Sequence, residues 1–312
     1  MRKTLFLLAC IVMIGGARAQ DTLVFTPQWL AQAQFAGYYV AEEMGFYREQ
    51  GINVRIVHPS VSQTAMKRLQ SNKSHATTLQ LAQALEIIDN GIHLVNILQT
   101  SMNNALVIVS RRGKDPLTQK GAKVGMWNAG FSQIAMCMAQ KEGYNYEWIR
   151  IADNINLFIA GAIDATLAMS YNEYYQILQA GIKLGKKDVY RFCDHGYNIQ
   201  EDGLYMTKEY YESHREVARR FAAASRKGWE WAAKHPDRTL DIVMRYVQKY
   251  HVATNRVLQK LMLDEVLRLQ VDRESKKREF RLRPDMVKQA NTLMLENKMI
   301  KREISYQELI AK

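Results

Sequence analysis

The run GYYVAEEMGFYREQGINV, Gly37 to Val54, carries a helix-length segment directly into a strand-like one. Residues 35–49 predict a helix, and Gly51 behind them tolerates the left-handed backbone at which helices commonly stop. Residues 53–57 read as a strand, and residues 22–26, ahead of the helix, as another. A strand, a helix and a strand in that order predict a βαβ unit.

The alternation continues. Further strands are expected at 93–98, 105–110, 123–127, 147–151 and 164–169, and helices at 63–71, 79–90 and 132–142. The predicted class is therefore α/β with mainly parallel sheets. After about Tyr210 the pattern becomes almost wholly helical, with breaks at Pro236 and Pro284. No Gly/Ser or Pro linker separates the parts. Two lobes joined by crossings near 106–110 and 203–207 account for this. The expected division is 20–107 and 204–312 for the first lobe and 108–203 for the second.

The first nineteen residues differ from the rest. Arg2 and Lys3 precede an apolar stretch over 4–16, and Ala17-Arg18-Ala19 gives the small-x-small pattern of a signal peptidase site. Residues 1–19 are expected to be a signal peptide, which predicts export to the periplasm. Leu7-Leu8-Ala9-Cys10 resembles a lipoprotein box but sits too early, so a lipid anchor at Cys10 is the less favoured reading. Losing three basic residues would lower the net charge from +12 to +9. Export argues against a nucleic-acid partner despite that charge. The densest basic run, 273–283, also holds Glu274 and Glu279 and has Phe280 as its one aromatic, so a solvated linker suits it better than a strand-binding groove. Cys137 and Cys193 are too few for a disulfide framework and could be paired or free.

Enzyme signatures are missing. The sequence has no GxSxG, no glycine-rich phosphate loop and no HExxH, and its seven histidines never fall at metal-ligand spacing on one helix. No catalytic residue, metal or cofactor is expected. Cys193-Asp194-His195 looks reactive, but neighbours in a strand face opposite ways. What stands out lies just after three predicted strands, where open α/β sheets bind ligands. Trp29, Gln32, Gln34, Phe35 and Tyr38 form one cluster, Trp127, Asn128, Gly130 and Phe131 a second, and Tyr171, Asn172 and Glu173 a third. Aromatic rings, amides and a carboxylate, with no Arg or Lys, suit a flat nitrogen heterocycle that is neutral or cationic. A sulfonate would need cationic donors.

Thr26-Pro27-Gln28-Trp29, the Gln34 to Ala41 run, Glu43-Met44-Gly45-Phe46-Tyr47 and Gly51-Ile52-Asn53-Val54 together resemble one family. It comprises the periplasmic substrate-binding proteins of ABC importers for thiamine-pyrimidine precursors, sulfonates and related molecules. Lys123-Val124-Gly125, Asp164-Ala165-Thr166 with Asn172-Glu173, Glu201-Asp202-Gly203-Leu204-Tyr205, and Asn297-Lys298-Met299-Ile300 with Ser305-Tyr306 extend the likeness over nearly the whole mature chain.

The resemblance implies a type II periplasmic-binding fold, with a ligand between two lobes, an ABC permease as partner and no catalytic residues. Phe35 stands where the pyrimidine-binding branch usually has histidine, and Glu173 falls where that branch carries an acid. The cysteine-rich motif of the related synthases is missing. An aminopyrimidine vitamin precursor is the leading ligand expectation, followed by a larger flavin-like ring. A monomer is expected, since such receptors dock one face of each lobe on the permease. A sensor presenting its bound state to a membrane kinase would have the same pocket.

Overall fold

The computed structural model describes residues 21–60, 62–111, 121–127, 130–152 and 154–311. The signal stretch, Cys10 and Asn128 lie outside these.

The first sheet is built from β1 (Asp21–Thr26), β2 (Ile52–Ile56), β3 (Ala76–Leu79), β4 (Leu94–Gln99) and β10 (Gly203–Thr207), in the order β2-β1-β3-β10-β4. The second holds β5 (Leu106–Ser110), β6 (Lys123–Trp127), β7 (Glu147–Ile151), β8 (Ala165–Met169) and β9 (Val189–Arg191), in the order β7-β6-β8-β5-β9. Both sheets follow one plan. Three parallel strands come first, with β1 between β2 and β3 and β6 between β7 and β8. An antiparallel strand arriving from the other lobe follows: β10 pairs with β3 and β4, and β5 with β8 and β9. The expected mainly parallel sheets are thus mixed, because a strand that arrives across the hinge runs opposite to its neighbours.

The helices of the first lobe's opening are α1 (Ala36–Glu43), α2 (Phe46–Glu49), α3 (Ala65–Gln70) and α4 (Leu81–Asp89). The single helix predicted over 35–49 is two, because Gly45 takes the left-handed conformation at φ 77° and ends α1. The helix predicted from Leu79 starts at Leu81, since Ala76–Leu79 is the short buried strand β3 that the sequence reading missed. The second lobe adds α5 (Gln133–Glu142), α6 (Asn156–Ile159) and α7 (Glu173–Gln179). The helical last third comprises α8 (Lys208–Ser213), α9 (Arg215–Lys234), α10 (Pro236–Lys249), α11 (Arg256–Leu269), α12 (Pro284–Glu296) and α13 (Tyr306–Leu309). Pro236 and Pro284 sit in the first turns of α10 and α12, where a missing N–H costs nothing.

Helix α9 lies directly on α1. A Cβ on Gly37 would come within 2.2 Å of the Trp229 ring, and one on Gly228 within 2.1 Å of the Gly37 carbonyl oxygen. The contact therefore requires glycine on both helices. Tyr38 is fully packed here, against Phe25 at 4.6 Å and Trp229 at 5.8 Å between ring centroids.

The lobes are joined by residues 100–105 and 192–202, so the crossings precede β5 and β10 instead of running through them. The two loops are tied to each other. Thr100 Oγ1 donates to the Asp202 carbonyl at 2.6 Å, and the Glu201 carboxylate accepts the Ala105 N–H at 2.9 Å. The 273–283 run does link α11 to α12, but it is anchored as well: Phe280 and Leu282 are buried and Arg283 pairs with Asp272 at 2.8 Å. Cys137 and Cys193 are both free thiols.

Candidate functional site

β1 of the first sheet and the parallel pair β6 and β8 of the second carry the three clusters to one place. Trp29, Gln32 and Gln34 follow β1, Trp127 ends β6, and Tyr171, Asn172 and Glu173 follow β8. All seven line a single cavity between the lobes, together with Gln28, Gln80, Phe131 and Met169. The lobes approach closely here. Trp29 meets Phe131 edge-on at 5.6 Å, and nearby Gln133 of α5 donates to Glu86 of α4 at 2.6 Å. The remaining void is about 20 Å³, room for roughly one water. A heterocycle can enter only if the lobes part, and bound there it would favour their closure.

The other expected site residues lie elsewhere. Phe35 and Tyr38 belong to the core of the first lobe, since the turn from residue 33 into α1 directs them inward. Gly130 does not line the cavity. It adopts φ 79°, and a Cβ placed on it would have Gln83 as its nearest neighbour, at 3.5 Å. Asn128 is outside the described residues.

Glu173 opens α7 and is almost completely buried. Its carboxylate accepts from the Met169 N–H at 2.8 Å and from Asn172 Nδ2 at 3.1 Å. Asn172 is held in turn by Gln176 at 2.7 Å. Burial pushes Glu173 up to about 6, and these bonds and the Trp127 indole hold the rise in check. Glu173 thus both braces the turn between β8 and α7 and lines the cavity.

Sequence reasoning missed the second carboxylate, Asp202. It stands at φ 54° where the second crossing enters β10, and it accepts from Gln28 Nε2 at 2.6 Å and Gln34 Nε2 at 2.8 Å. Burial pushes it up to about 6 against those bonds. With its nitrogen committed to Asp202, Gln28 is left with a buried carbonyl oxygen that has no hydrogen-bond partner. Gln34 Oε1 is occupied by Gln32 Nε2 at 2.6 Å. The Glu201-Asp202 pair before a strand was the available signal, but nothing local shows which acid meets the glutamines of the cleft.

Trp29 is held from behind by a buried histidine. His58 Nδ1 donates to the Trp29 carbonyl at 2.7 Å, which leaves Nε2 to accept from Tyr39 at 2.8 Å. Burial lowers His58 to about 4, so it is neutral at ordinary pH. Among the described residues no group of His, Cys, Asp and Glu suits a metal ion. No helix among them is long and apolar enough to cross a membrane.

A family model described as NMT1/THI5 like matches residues 32–239, two thirds of the chain. A formylaminopyrimidine-binding protein of Halalkalibacterium halodurans is 24% identical over 254 residues, covering 77% of this chain and 75% of its own. Among solved structures, the ligand-binding component of an ABC-type import system from Staphylococcus aureus superposes with TM-score 0.69 at 10% identity, over 94% of this chain and 97% of its own. The periplasmic aliphatic sulphonate binding protein of Escherichia coli gives TM-score 0.66 at 11% identity, over 94% and 93%. At such identities these structures establish the two-lobed periplasmic-binding fold and nothing finer.

Proposed function

The chain belongs to the NMT1/THI5-like family, and from that premise we propose that it is an exported solute-binding protein which captures an amine-bearing nitrogen heterocycle in the periplasm and delivers it to an ABC permease. Its work is binding, by two lobes that close on a ligand, and not catalysis.

One observation carries the ligand class. The cavity is walled by Trp29, Trp127 and Tyr171, has no Arg or Lys among the described residues that line it, and presents acceptors: the Glu173 carboxylate and the unpartnered Gln28 carbonyl. Buried acceptors favour a ligand that brings N–H donors, because an unmade buried hydrogen bond costs about 1–3 kcal/mol. Aromatic faces favour a flat ring. An aminopyrimidine fits both, and a thiamine pyrimidine precursor is the leading candidate. An anionic sulfonate fits neither, since no cation among the described residues lines the walls to neutralise it.

The working form we propose is a monomer, leaving one face of each lobe open to the permease, with the lobes divided at loops 100–105 and 192–202. Calorimetric titration with 4-amino-2-methylpyrimidine derivatives, simple sulfonates and flavins tests the ligand class. The amine should bind saturably and the sulfonate should not. Tight sulfonate binding without amine binding would overturn the reading.

A further inference from the structure

We propose that a second cavity, at the hinge, binds a small organic monocarboxylate. This cavity measures about 370 Å³ and shares no lining residue with the cleft. Its walls come from both crossings and the strand ends beside them, at 104–107 and 191–194, and from both lobes, through α7 and α11.

The lining charge defines the occupant. Three guanidiniums, those of Arg191, Arg268 and Arg273, meet two carboxylates. Arg268 grips Glu265 through two bonds of 2.7 and 2.6 Å, and Arg273 pairs with Asp194 at 2.9 Å. Arg191 has no ion pair among the described residues, and its guanidinium lies 5.4 Å from the centre of the Tyr174 ring. One positive charge is left over. A single carboxylate neutralises it through the planar fork of Arg191, a geometry that lysine lacks. A dianion would bring excess charge toward Glu265 and Asp194. The rings of Tyr174 and Tyr175 give an organic body something to lie on.

The position also gives the site a role. Residues Met169, Tyr171, Asn172 and Glu173 wall the cleft, while Ser170, Tyr174 and Tyr175 of the same segment wall the hinge cavity. Ser170 Oγ donates to Glu265 Oε1 at 2.8 Å, which ties this segment to α11 of the other lobe. A ligand touching both lobes here stabilises the lobe arrangement it touches. The site lies beyond the cleft's own function and does not depend on which solute the cleft takes.

Benzoate is the probe, with inorganic phosphate as comparator. At low ionic strength, calorimetry should show saturable benzoate binding in the millimolar range, as suits one charge-assisted pair in an open cavity. Hydrogen exchange should slow at 104–107 and 191–194. Arg191→Gln should weaken benzoate about tenfold or more, and Arg191→Lys should fall between. Arg191 is partly exposed on an edge strand, and a thermal melt verifies that each variant folds. No saturable uptake, unchanged affinity in Arg191→Gln, protection confined to other segments, or tighter binding of phosphate than benzoate would each overturn the proposal.

Discussion

Gln28 and Asp202 lie 174 positions apart and meet at 2.6 Å, amide nitrogen to carboxylate. That bond fixes which end of the Gln28 amide faces the ligand cavity. Asp202 thereby shapes the cleft without lining it. Both amides share its single oxygen Oδ1, which asparagine would keep, so the informative change is Asp202→Ala: it removes the common acceptor and frees the Gln28 amide to turn. Asp202→Ala should weaken an amine-bearing ligand about tenfold, and should narrow its advantage over the matching pyrimidinone. Titration of both compounds into both proteins measures this; unchanged discrimination would show that Gln28 does not read the ligand.

Glu173 can be tested by substitution and by pH together. Glu173→Gln should cost about tenfold or more in affinity for an amine, since a charge-assisted bond is worth roughly 1.5–3 kcal/mol. The folded carboxyl binds its proton near pH 6. Affinity in the wild type should therefore be flat above about pH 7 and fall by up to tenfold per pH unit below 6. The glutamine variant should lose that slope. Equal affinities at pH 7.5 would mean that Glu173 serves its own turn alone.

Stability should carry an opposite signature from His58. Its folded pKa is lowered to about 4 from 6.5, so the unfolded chain takes up the proton first as pH falls. The neutral ring's contribution is complete above about pH 6.5 and shrinks toward pH 4, by about 3 kcal/mol in all. Glu173 and Asp202, raised to about 6, act the other way and lose stability as pH rises through 4–6. His58→Gln should thus destabilise clearly at pH 7.5 and much less at pH 4.5. Urea unfolding at the two pH values distinguishes this from a pH-independent packing defect.

Gly37 offers a test of the fold alone. Gly37→Ala drives a methyl group into the Trp229 ring, where α1 and α9 have no slack. A loss of about 3 kcal/mol or more is expected, beyond the usual range for one added methyl group. Gly91→Ala meets no atom within 4 Å and provides the contrast, limited to the backbone cost of its φ of 95°. Comparable melting temperatures for the two variants would refute the close contact.

The βαβ order was legible because strands and helices leave different local periodicities, and seven of the ten strands among the described residues follow from it. The other three did not: β3 and β9 are three or four residues long with no alternation to detect, and β10 lies where the sequence suggested a crossing between lobes. The three aromatic and amide clusters could be proposed from their places after strands, since chain direction puts the ends of parallel neighbours on one side. The sequence alone also showed that no cation accompanies those clusters.

Tertiary structure decided the rest. Phe35 and Tyr38 are near neighbours of Gln34 in sequence, yet they turn inward because α1 must bury a face against α9. Asp202 reaches the glutamines only because the second crossing returns the chain to the first lobe beside β1's exit. His58 stands behind Trp29 for a similar reason, brought there by β2 lying alongside β1. Local composition sets which elements form and which chemistry they hold. The pairing of residues far apart along the chain is set by how the sheets close and where the hinge lets the chain cross, a many-body packing outcome that no short window of sequence contains.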